Sequence, residues 1–212
     1  EGAFLSNFLG SGYPAFITYV GGTGNDVVLR VKGPDYVITT AANNLVITDV
    51  KGSSETLNIT QSGANIRFLA TGRTFMLNGG ALTNMPADLA IAGLMSITVN
   101  TNVGLDTIAV GAFSTNLPSL TLNGGVSNDY VQMNGNINFQ SNASLNIDLQ
   151  NDIASPGNDK IVIGTNVSIA IVGTGDAILR ASQDILINNN ASLTTVNGNL
   201  TIESNQQATP TN

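Results

Sequence analysis

Between residues 142 and 193 the chain repeats itself every 24 residues. Asn142-Ala143-Ser144-Leu145 returns as Asn166-Val167-Ser168-Ile169 and as Asn190-Ala191-Ser192-Leu193, and a looser form, Pro118-Ser119-Leu120, precedes them by 25. Ile137-Asn138-Phe139, Ile161-Val162-Ile163 and Ile185-Leu186-Ile187 keep the same period. Two patterns sharing one period of this length predict stacked coils rather than a closed domain.

Short runs of alternating apolar and polar residues, such as 45–48, 56–59, 96–99, 106–110 and 119–122, read as half-buried strands. Gly/Asn/Asp/Ser clusters stand between them, including Asn78-Gly79-Gly80 and Asn188-Asn189-Asn190. With three strands per period the expected fold is all-β: a right-handed parallel β-helix, or β-solenoid, of about 24 residues per three-sided coil, its coils ~4.8 Å apart. Leu145, Ile169 and Leu193 should then stack on one another inside, and Asn142, Asn166 and Asn190 should form a corner ladder or serve as left-handed corner residues.

Upstream the spacing loosens. Ile97 leads Leu120 by 23 and Phe75 leads Ile97 by 22, while residues 79–92 read as a longer loop. Five aromatics fall in the first nineteen residues. The expected organisation is residues 1–34 as a cap or the end of a preceding module, 35–204 as the β-helix, and 205–212 as a linker. The start at Glu1 and the Thr/Pro/Asn tail read as a piece of a longer polypeptide.

Composition narrows the function. Only 10% of residues are charged, and 28 are Asn, so the surface is made polar by amides and hydroxyls. A net charge of −7 gives nucleic acid no electrostatic footprint, and no apolar run is long enough for a membrane span. Without Cys there is no disulfide or thiolate site, and without His no Ser-His or Cys-His dyad. Glycan-cleaving β-helices need clustered acids with a nearby Lys or Arg, whereas Lys51, Arg67, Arg73 and Arg180 are scattered along this chain. A non-enzymatic role is expected.

Two features suggest a hard cation. Gly21-Gly22-Thr23-Gly24-Asn25-Asp26-Val27-Val28-Leu29 fits the Ca²⁺-binding pattern G-G-x-G-x-D-x-U-x in a single copy. Asp106, Asp129, Asp152 and Asp176 are separated by 23, 23 and 24, so they are expected on one corner. Carboxylates stacked ~5 Å apart repel by about 0.8 kcal/mol in water, and oxygen ligands without nitrogen or sulfur suit Ca²⁺. Asp26, Asp129, Asp152 and Asp176 are therefore the candidate metal ligands, with Ca²⁺ as the one cofactor weighed; solvated Asx-turns are the plainer alternative.

The Asn-Ala-Ser-Leu repeat, Gly198-Asn199-Leu200-Thr201-Ile202-Glu203 and the Gly-Gly-Thr-Gly-Asn-Asp string together resemble filamentous-haemagglutinin-like and autotransporter-type bacterial surface proteins, with one RTX-like nonapeptide. The resemblance covers residues 95–204 and 20–31. It implies a structural module at the bacterial cell surface or in a secreted fibre, its partners being neighbouring modules, copies of the same protein, or host or cell-surface glycans. A Ca²⁺-stabilised adhesive module and a polysaccharide-cleaving β-helix are the alternatives.

Overall fold

The computed structural model describes residues 4–5, 9, 15–21, 26–150 and 157–205, and among them the chain is all-β, with no α-helix. In chain order the strands are β1 (Phe4–Leu5), β2 (Ala15–Gly21), β3 (Asp26–Val31), β4 (Tyr36–Ala41), β5 (Asn44–Asp49), β6 (Thr56–Ser62), β7 (Asn65–Ala70) and β8 (Thr74–Leu77). Then follow β9 (Thr83–Asn84), β10 (Ala87–Ala90), β11 (Ser96–Val103), β12 (Thr107–Val110), β13 (Ser119–Val126), β14 (Tyr130–Met133) and β15 (Ile137–Asn138). The last are β16 (Leu145–Leu149), β17 (Lys160–Ile163), β18 (Ser168–Ile171), β19 (Ala177–Ala181), β20 (Asp184–Ile187), β21 (Ser192–Thr195) and β22 (Leu200–Ser204).

β1, β2 and β3 form an antiparallel sheet of their own. The rest build a nine-stranded sheet (β22-β19-β16-β13-β11-β5-β4-β8-β9), a seven-stranded sheet (β10-β7-β6-β12-β14-β17-β20) and a three-stranded sheet (β15-β18-β21). From β11 onward the pairings are parallel, and from β13 onward the chain visits the three sheets in rotation; between β12 and β13 only the isolated Leu117–Phe139 bridge stands in the place of the third. Alternation along each strand turns one apolar residue in two toward a shared interior. Leu45, Ile97, Leu120, Leu145 and Ala177 are paired in sequence across the nine-stranded sheet, as are Leu57, Ile108, Val131 and Ile161 across the seven-stranded one. All of these side chains are at most 2% exposed and belong to one core cluster. Each of the Leu, Ile and Val side chains among them contributes roughly 1.5–3 kcal/mol by leaving water.

The register differs from a strict 24-residue period. Ile169 pairs with Leu193, and Ile161 with Ile185, at the expected spacing. Leu145 does not join Ile169: it pairs with Leu120 and with Ala177, in the nine-stranded sheet, and Ile137 pairs with Ile169 rather than Ile161. The connection between β16 and β17, residues 150–159, is the cause. With it, corner contacts there span 32 residues instead of the 25 and 23 found before and after. Ile97 does pair with Leu120, but Phe75 pairs with Tyr36 and Thr83, not in line with Ile97. Residues 79–92 contain β9 and β10 instead of a plain loop.

Asn142, Asn166 and Asn190 all adopt left-handed backbone (φ 65°, 61° and 58°), yet at two different corners. Asn166 and Asn190 precede β18 and β21, and the Asn190 amide donates to Asn166 Oδ1 at 3.1 Å. Asn142 precedes β16, where its Oδ1 accepts from the Thr174 N–H at 3.0 Å. Backbone segments approach closely at such corners: a Cβ built on Gly175 would lie 2.0 Å from the Ala143 carbonyl oxygen, so only glycine fits.

The two ends of these sheets differ. Toward the chain's beginning, β5 and β6 are covered by antiparallel hairpin partners β4 and β7, with β8, β9 and β10 beyond. The two-residue turn Ala42-Asn43 has φ of 48° and 64°, the type I′ geometry that matches strand twist. At the other end β20, β21 and β22 are the outermost strands.

Candidate functional site

The acids gather at the corner where the chain passes from the nine-stranded to the seven-stranded sheet. Glu55, Asp106, Asp129 and Asp159 each stand immediately before a strand of the latter, β6, β12, β14 and β17. There the strand ladder has stopped and backbone N–H groups need another acceptor. Side chains supply it: the Glu55 N–H donates to Asp106 Oδ1 (3.1 Å), the Asp106 N–H to Asp129 Oδ1 (3.0 Å), the Asp129 N–H to Asp159 Oδ1 (2.7 Å), and the Asp159 N–H to Ser182 Oγ (2.8 Å). Asp106, Asp129 and Asp159 are 3%, 4% and 0% exposed.

The predicted column is thus brought together only in part. Asp106 and Asp129 are neighbours, and Asp159 takes the place expected for Asp152, which lies outside the described residues. Asp176 stands at another corner, before β19, where its Oδ1 accepts from the Asn199 N–H at 2.7 Å. Asp26 begins β3, opposite Gly21 in the separate antiparallel sheet, while residues 22–25 of the nonapeptide lie outside the described residues. Among the described residues no group of three or more His, Cys, Asp or Glu side chains is placed to hold a metal ion.

At the hairpin end the column meets a knot of charges that spacing gave no hint of. Asp35 is buried and receives Lys51 Nζ at 2.9 Å, Arg73 Nη1 at 3.6 Å, and the Thr74 N–H and hydroxyl at 2.8 and 2.7 Å. Burial works against its charge, but Lys51 and the two Thr74 donors outweigh it and hold the carboxyl below the ordinary aspartate range. Glu55 takes Arg73 Nη2 at 2.5 Å and the Tyr36 hydroxyl. Burial foremost, then the Asp49 charge, raises the Glu55 carboxyl despite these partners, and burial with Glu55 beside it raises the Tyr36 phenol.

Asp49 and Asp106 lie alongside without an ion-pair partner. Asp49 Oδ1 accepts from the N–H groups of Lys51 and Gly52 at 2.7 and 3.1 Å, while Asp49 Oδ2 and Asp106 Oδ2 are buried without a hydrogen bond. Burial, with Glu55 and Asp49 adding repulsion against the Glu55 N–H and Arg73, pushes the Asp106 carboxyl up to about 7. An open cleft beside the knot is lined by Ser54, Glu55, Thr56, Asn58, Thr71, Gly72 and Arg73. Its one lining carboxylate, Glu55, is occupied by Arg73 and Tyr36.

Sequence reasoning missed Asp159, Ser182 and the Tyr36-Asp49-Glu55-Arg73 knot. A usable signal existed for the first: Ser127-Asn128-Asp129 before β14 is matched by Gly157-Asn158-Asp159 before β17. Among the described residues no helix is long and apolar enough to cross a membrane, which leaves strand-based crossing unaddressed. No protein-family model matches this chain, and no curated protein or solved structure does so either.

Proposed function

We propose that the chain is a non-catalytic structural module of a long extracellular bacterial surface, adhesin or filament-forming protein, folded as a right-handed parallel β-helix of three-sided coils, one of them enlarged. The observation that carries this reading is the in-register parallel pairing from β11 to β22, with its continuous apolar interior. Parallel coils resist bending because their strands are hydrogen-bonded to the coils above and below, and they add length one coil at a time. The acids support it too: they are turned onto backbone N–H groups, the place of a structural rung rather than of a reacting group.

Single-molecule stretching tests the proposal. A coil of about 24 residues releases roughly 80 Å of chain, so unravelling in steps of that size is expected. One all-or-none event over the whole chain would sink it.

The glycan-cleaving alternative has one feature in its favour, the cleft in which Glu55 stands beside Arg73. Incubation with polyuronates that yields no unsaturated or reducing product removes that alternative, and glycan arrays test a purely adhesive role.

A further inference from the structure

We propose that the face formed by β20, β21 and β22 is the docking end of the module, and that its occupant is a further parallel three-strand coil supplied by a neighbouring module. This rests on the rod reading above. The interior columns do not close at this face: Ile187, Leu200 and Ile202 continue them but are 44%, 47% and 43% exposed, whereas Ile163, Ala177 and Leu179, their partners one coil back, are fully buried. Edge strands usually carry unpaired charges that repel other chains. Here the two acids on these strands are neutralised from behind, Asp184 by Lys160 at 3.1 Å and Glu203 by Arg180 at 2.7 Å.

The corner ladders select the direction of the occupant. Just before β16, β19 and β22 of the nine-stranded sheet, the side chain of one coil accepts the N–H of the next: Ser119 from Ser144 at 3.1 Å, Ser144 from Asp176 at 3.0 Å, Asp176 from Asn199 at 2.7 Å. Asn199 ends this ladder, its side-chain amide donating back to Asp176 Oδ1 at 3.3 Å, and at the corner before the three-stranded sheet the Asn190 amide ends a second, donating to Asn166 Oδ1 at 3.1 Å. Only a coil running in the same direction brings its N–H and amide donors to both corners together. The hairpin end of a second copy offers β9 and β10, antiparallel to their neighbours, and no strand for the three-stranded sheet. An inverted copy would set each ladder against a different corner.

The test inserts a second copy of residues 182–205 after Asn205 of the full chain and follows amide hydrogen exchange. Docking of the added coil should slow the outward amides of β22 by ~10-fold or more, the equivalent of one net hydrogen bond each, and Ile202→Lys should abolish that gain in the extended chain when each is compared with the parent carrying the same substitution. Unaltered β22 exchange in the extended chain overturns the proposal, as does concentration-dependent dimerisation of the parent with protection of β22, which would make a second copy the occupant. Stepwise unravelling of the parent reports on the rod separately, so the docking end can fail while the rod stands.

Discussion

Replacing Asp106 by Asn should stabilise the protein at alkaline pH and do nothing at acid pH. The carboxyl is 3% exposed, one oxygen accepts the Glu55 N–H, and the other has no partner. Its pKa is raised from 3.8 to about 7, so the folded state holds its proton longer than the unfolded state does. Stability from this group is therefore complete below pH about 4, falls as pH rises between about 4 and 7, and is lost above. At 1.36 kcal/mol per unit the loss is on the order of 4 kcal/mol, a ceiling because Arg73 lies close by. Asn keeps the acceptor for Glu55 and cannot ionise, so Asp106→Asn mimics the protonated acid throughout. For a chain of this size, at about 2–4 °C per kcal/mol, the variant should melt roughly 10 °C higher at pH 8 and level with the parent at pH 4. Thermal melts followed by circular dichroism from pH 4 to 9 measure this. A parent whose midpoint is flat across that range, or a variant that melts lower at pH 8, refutes the reasoning.

Three further outcomes are expected. Gly175→Ala places a methyl group 2.0 Å from the Ala143 carbonyl and should cost about 3 kcal/mol in urea unfolding, whereas Gly63→Ala, with open space but φ of +61°, should cost about 1; equal effects would mean the coils are not that close. Leu145→Ala removes a fully buried side chain and should cost about 2–5 kcal/mol, against under about 1 for the half-exposed Leu200→Ala. Millimolar Ca²⁺ should leave the melting midpoint where a chelator leaves it; a site filled a hundredfold above its Kd would add about 2.7 kcal/mol, and a rise of that order would revive the calcium reading at Asp26, Asp129, Asp152 and Asp176.

The repeat that pointed to parallel strand pairing also misled on its register, for one physical reason. Asn-x-Ser-Leu encodes a local event, a left-handed corner followed by a strand whose first apolar residue turns inward. Nothing in it says which corner. The fold uses the motif before β16 at one corner and before β18 and β21 at another, and the long connection at 150–159 keeps the spacing at 24 by coincidence. Strand alternation, read from local pairs such as Ile97-Val99, survived because it needs no knowledge of loop length. The charge knot was illegible for the opposite reason. Asp35, Glu55 and Arg73 meet only because β4, β6 and β8 belong to hairpins at one end, and sequence separations of 18 to 38 carry no periodic trace.

The polar corners and the parallel stacking of strands have one common origin. Where the chain passes from one sheet to the next, backbone N–H groups stand where no strand can accept them. An amide, hydroxyl or carboxylate beside the neighbouring strand can accept them, and the chain places one there repeatedly: Asp129, Asp159 and Ser182 at one corner, Ser119, Ser144 and Asp176 at another, Asn136 at the third, where it accepts from Ser168 at 2.8 Å. At two of these corners the reach has opposite sense, back toward the earlier strand from Asp129 and forward to the later one from Ser119. Sliding one strand layer along the next must then break rungs at both corners at once. Lysine or arginine cannot serve, since neither has an acceptor. Short polar residues, Asp and Ser above all with Asn136 at the third corner, therefore stitch successive strands together where a basic side chain could not.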